Sequence, residues 1–69
     1  MKVKLSSKTA KGKQRIQRDG AIWFVERVVS GALPFAPTDK GPWLFINSEK
    51  TGDTRWVRKT NDKDFFVED

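Results

Sequence analysis

The chain has 69 residues, with 14 Lys and Arg against 9 Asp and Glu, and neither cysteine nor histidine. That length allows one domain with one small core. The missing cysteines and histidines exclude disulfides, the usual zinc ligand sets and His- or Cys-based catalysis, so apolar packing and backbone hydrogen bonds must hold the fold.

The charge is unevenly placed. Met1 to Arg18 holds seven basic residues and no acid, whereas Asp19 to Asp69 holds seven basic and nine acidic ones, so the net +5 divides into +7 and −2. Such asymmetry points to an anionic partner, because clustered cations displace the counterions condensed on phosphate. Residues 1–13 read as a flexible basic arm and 14–69 as the folded domain. On that reading, removing residues 1–13 leaves the fold intact. SSKTAKGKQRI is at best nascently helical, since no window shows the i, i+3, i+4, i+7 apolar spacing of an amphipathic helix.

Asp19-Gly20 reads as a hairpin turn, because an Asp-Gly pair tolerates the positive φ that a tight turn requires. It would pair Arg15–Arg18 with Ala21–Val29. Within AIWFV, alternate side chains face opposite sides, so either Trp23 with Val25 or Ile22 with Phe24 lies inside. The larger ring favours Trp23 and Val25, which leaves Phe24 partly exposed. Ser30 to Pro42 contains all three prolines and reads as a loop. WLFINSEKTGDTRWV then reads as a hairpin with strands Trp43–Ser48 and Thr54–Arg58, Gly52 supplying a left-handed turn residue. KTNDKD suits a single 3₁₀ turn, with Asp62 and Asp64 in structural or solubility roles, and FFVED a closing strand.

The tryptophan-led strand, the TGD turn, TRWV, the short polar turn and the final FFV strand resemble the second half of small SH3-like barrels, over about Trp43 to Val67. The resemblance implies an all-β, SH3-like barrel of about five short strands with Val57 inside. The chain has no tyrosine, and Arg58 stands where peptide-binding members carry a proline, so the proline-rich-peptide function is not implied. SKTAKGKQRI and SEKTGDTRWV are similar to motifs of short bacteriophage and prophage proteins, which implies a phage origin and a host-cell cytoplasmic location but no mechanism.

No paired carboxylates, glycine-rich phosphate loop or nucleophile–base arrangement is evident, so the chain reads as non-enzymatic, with no cofactor, metal or small-molecule substrate. No apolar run suits a membrane or a secretory leader. The function these features favour is nucleic-acid binding. Lys8, Lys11, Lys13, Arg15 and Arg18 would neutralise phosphates, while Trp56 or Phe24, with Arg55 and Arg58 beside the tryptophan, would offer a stacking face. Trp56 could equally cap the edge of the core, and the basic segment could be a passive tail. The alternative partner is an acidic surface on a host protein that the chain inhibits or redirects.

Overall fold

The computed structural model describes all 69 residues. It contains strand β1 (Lys2–Ser7), helix α1 (Ala10–Asp19), and strands β2 (Ile22–Val29), β3 (Trp43–Ser48), β4 (Thr54–Arg58) and β5 (Phe65–Glu68). The strands form one antiparallel sheet in the order β4-β3-β2-β1-β5. The fold is thus mostly β, in keeping with the sequence, but the sheet is open: β4 and β5 are its two edges.

The core follows from period-two alternation in strands. Val3, Leu5, Trp23, Leu44, Ile46, Val57 and Phe65 form a single buried cluster, with Ile16, Val25 and Val67 packed against it. Burying one such side chain stabilises a fold by roughly 1.5–3 kcal/mol. Trp23 is 1% exposed and Phe24 38%, so β2 turns the way the larger ring favours, and Val57 lies inside. A bulge between Val25 and Arg27 shifts the β2–β3 register, so that Arg27 faces the same side as Phe24.

Two expectations for the N-terminal quarter are corrected. Residues 1–13 are not a flexible arm: β1 lies between β2 and β5, and it places Val3 and Leu5 in the core while Lys2 and Lys4 point outward. Nor do Arg15–Arg18 form a hairpin with Ala21–Val29, because they belong to α1 and it is β1 that pairs with β2. Asp19-Gly20 ends that helix instead of turning a hairpin. Gly20 takes φ +84° and ψ 171°, a conformation essentially reserved for glycine, and donates its N–H to the Ile16 carbonyl at 2.7 Å. At the other end the Thr9 hydroxyl accepts from the Gly12 N–H at 3.0 Å, as an N-cap does.

The second half follows the sequence pattern closely. The β3–β4 hairpin has its anticipated bounds, and Gly52 sits at φ +79°. Between β4 and β5 the chain makes irregular bends instead of a 3₁₀ turn, with Asn61 at φ +58°. There the Asp62 carboxylate accepts from the N–H groups of Arg58, Asp64 and Phe65 at 2.9, 3.1 and 3.2 Å. The Ser30–Pro42 loop folds onto the sheet by burying Leu33 and by accepting, at the Asp39 carbonyl, the Trp43 indole N–H at 2.9 Å.

Candidate nucleic-acid interface

Helix α1 rests on the sheet with Gly12, Ile16 and Asp19, spaced four and three residues apart. Lys11, Arg15 and Arg18 have the same spacing one position earlier, so they form a neighbouring stripe on the helix. That stripe faces β4. Arg15, Arg18 and Arg55 share a cleft of about 380 Å³ with Asp19, Trp23, Asp53 and Thr54. The cleft adjoins a second depression lined by Lys11, Gln14, Arg15 and Arg18.

The charges in the cleft are unequally satisfied. Arg18 grips the buried Asp19 carboxylate through Nε at 3.1 Å and Nη2 at 3.0 Å, and lies 3.8 Å from Asp53. The bond from Arg18 holds the Asp19 carboxyl below the usual carboxylate range, although burial pulls the other way, and the same pair raises Arg18. Arg15 and Arg55 have no carboxylate within ion-pair distance. Arg55 projects from the core side of β4 with its guanidinium carbon 4.6 Å from the Phe65 ring centroid. Burial lowers its pKa and the positive charge of Arg15 adds to that effect, against Asp62, Asp64 and Asp19. Its Nε is buried without an acceptor.

The remaining candidates lie elsewhere. Lys8 donates to the Asp62 carbonyl at 2.8 Å and sits 4.9 Å over the Phe66 ring, and Lys13 is exposed on the helix outside both depressions. Phe24, Trp56 and Arg58 occupy the opposite, outer face of the sheet, since they alternate with Trp23, Arg55 and Val57 on the core side. The structure therefore joins Lys11, Arg15, Arg18 and Arg55, and separates them from Phe24, Trp56 and Arg58. Arg55 and Trp56, consecutive on an edge strand, point to different faces.

On that outer face Trp56 packs between Phe45, with centroids 4.9 Å apart, and Phe35, at 6.4 Å. Phe35 also meets Trp43 edge-on at 5.6 Å. Phe45, Phe35 and Arg27 are participants that sequence reasoning missed, although counting Phe45 two residues beyond Trp43 would have placed it opposite Trp56. Asp62 and Asp64 serve the fold: the Asp64 carboxylate accepts from the Thr9 hydroxyl at 2.9 Å, tying the helix start to the β4–β5 connection.

No group of three or more His, Cys, Asp or Glu side chains is arranged to hold a metal ion, and no helix is long and apolar enough to cross a membrane. No protein-family model, curated protein or solved structure matches the chain.

Proposed function

We propose that this chain is a non-enzymatic nucleic-acid-binding module whose phosphate contacts are made by Lys11, Arg15, Arg18 and Arg55. One observation carries this reading: Arg15 and Arg55 come from different elements, share a cleft, and have no anion of their own. Holding like charges together costs free energy, and a phosphodiester entering the cleft relieves that cost while matching the planar guanidinium geometry. The cleft is wide, polar and open, which suits a continuous backbone better than an enclosed small molecule.

The strand order, with β1 between β2 and β5 and a β2-β3-β4 meander, supports reading the fold as SH3-like, as the turn pattern of its second half implies. The phage-like motifs favour an accessory role in the cytoplasm of a bacterial host.

A salt titration tests the phosphate contacts. Affinity for duplex DNA should fall steeply with salt, and Lys11→Gln and Arg15→Gln should each reduce the log–log slope by roughly 0.9. Lys11 is exposed and Arg15 half-buried at the edge of the cleft, and neither holds an ion pair, so the melting temperature should hold. Binding with an unchanged slope in both variants overturns the reading. Capture of a host protein is the second reading, favoured by the exposure of Phe35 and Phe66 (61% and 53%), and it predicts binding that survives nuclease treatment.

A further inference from the structure

The outer face of the sheet presents aromatic rings divided by cations. The register aligns Lys2 with Phe24, Phe24 with Asn47, Arg27 with Phe45 and Phe45 with Trp56, and on the other flank Ser6 with Phe66. The rings of β4, β3, β2 and β5 therefore share one face, and the lysines of β1 run between Phe24 and Phe66. Phe24 lies opposite Lys2 and Phe66 opposite Ser6, so two strand spacings across the sheet and four residues along it put the two rings about 16 Å apart.

Three features decide what such a face can hold. The rings do not form a continuous apolar patch, because Lys2 sits 5.3 Å over Phe24 and Lys8 4.9 Å over Phe66. Apolar docking to a protein favours an uninterrupted patch. The charge is also one-sided: the strands direct Lys2, Lys4, Arg27 and Arg58 to this face against Glu68 alone. Glu49 reaches Lys2 at 2.9 Å and Asp39 reaches Arg58 at 3.9 Å, while Lys4 and Arg27 have no ion-pair partner. Finally, Phe24 and Phe66 stay exposed although each has a cation above it, so a planar ligand can replace the lysine on the ring.

From these we infer that the outer face is a second binding surface, taking the unpaired bases of a single-stranded nucleic acid. Bases stack on Phe24, Phe66 and the Trp56–Phe45 pair, and Lys4 and Arg27 meet the backbone between them. The inference rests on the nucleic-acid reading of the chain but uses none of the cleft residues. A duplex keeps its base faces stacked internally and cannot use this surface, whereas every unpaired base presents a ring face. The two faces therefore divide the two forms of nucleic acid between them.

The test uses full-length protein with a short oligothymidylate and a short mixed-sequence duplex, read by anisotropy and intrinsic fluorescence. Trp56 is the one tryptophan not buried, so oligothymidylate should quench the emission and Trp56→Phe should remove the quenching. Phe24→Ala and Phe66→Ala should each weaken oligothymidylate binding about five- to hundredfold and leave the duplex affinity unchanged. Both rings are exposed, and the melting temperature of each variant checks that it folds. Lys11→Gln with Arg15→Gln should do the reverse, weakening the duplex more than the single strand. Absence of oligothymidylate binding in the parent protein overturns the inference, as does wild-type affinity in both phenylalanine variants. A duplex affinity indifferent to Lys11 and Arg15, with the single strand still sensitive to Phe24 and Phe66, instead removes the cleft reading and leaves this one standing.

Discussion

The carboxylate of Asp19 is held by Arg18, and its backbone carbonyl accepts from the Ser48 hydroxyl, which in turn accepts from the N–H groups of Lys50 and Thr51 at 3.1 Å each. One residue thus fastens the end of α1 to the β3–β4 turn. Because Arg18 depresses the Asp19 carboxyl, the unfolded chain, whose aspartates titrate near about 3.9, takes up this proton first as pH falls. The contribution of the pair is complete above about pH 4 and is lost as pH drops through the folded-state value. The urea midpoint should be flat near neutrality and fall below that pH. Asp19→Asn should start lower at pH 7 and lose less on acidification, so that the two curves converge at low pH. Parallel curves would show that the pair does not carry the acid sensitivity.

At the scale of elements, the contact between α1 and the β4–β5 connection sets how closely the helix can sit. Gly12 lies buried at the point of contact, and a methyl group there would overlap the Asp64 carbonyl oxygen. In a free helix, glycine to alanine gains up to about 1 kcal/mol. Here the sign should reverse: Gly12→Ala is expected to destabilise by about 1–3 kcal/mol, the usual cost of overpacking, as judged by denaturant unfolding. A stabilised variant would mean that the helix can lift away from Asp64 freely. Strand β1 allows a sharper test. Deleting residues 1–13 removes Val3 and Leu5 from the core, strips β2 and β5 of their shared neighbour, and takes away the Thr9 cap. The truncated chain should show no cooperative thermal transition, where a dispensable arm would leave the transition in place.

For the molecule as a whole, β3, β4 and β5 were legible in the sequence because each is a short run of aromatic and β-branched residues bounded by turn formers, with Gly52 marking the hairpin. The first strand was missed: KVKL alternates as a strand does, but five lysines in thirteen residues with no acid among them made it resemble a tail. Helix α1 left no apolar signature, since its buried stripe consists of Gly12, Ile16 and Asp19 and contains a single apolar side chain of any size. Its ends were visible only as a threonine and a glycine, either of which serves equally well in a turn. The cations of the candidate site could be named from composition. Their division between two faces could not, because it depends on whether Arg15 and Arg18 lie on a strand or on a helix, and on Arg55 and Trp56 pointing opposite ways from one strand.

The position of β1 also bears on how the protein is made. Its pairing with β5 joins Lys4 to Glu68 and Ser7 to Phe65, contacts that close nearly the whole sequence into one loop. As the chain emerges during synthesis, the first strand can pair with β2 early but must wait through the loop, the hairpin and the polar bends for its second neighbour. Until then Leu5 has no Val67 opposite it, and one edge of β1 is unpaired. Such long-range closure slows folding, because the loop entropy is lost before the pairing is gained. The lysines that alternate along β1 keep that waiting strand charged, which discourages pairing with the same strand of another nascent chain.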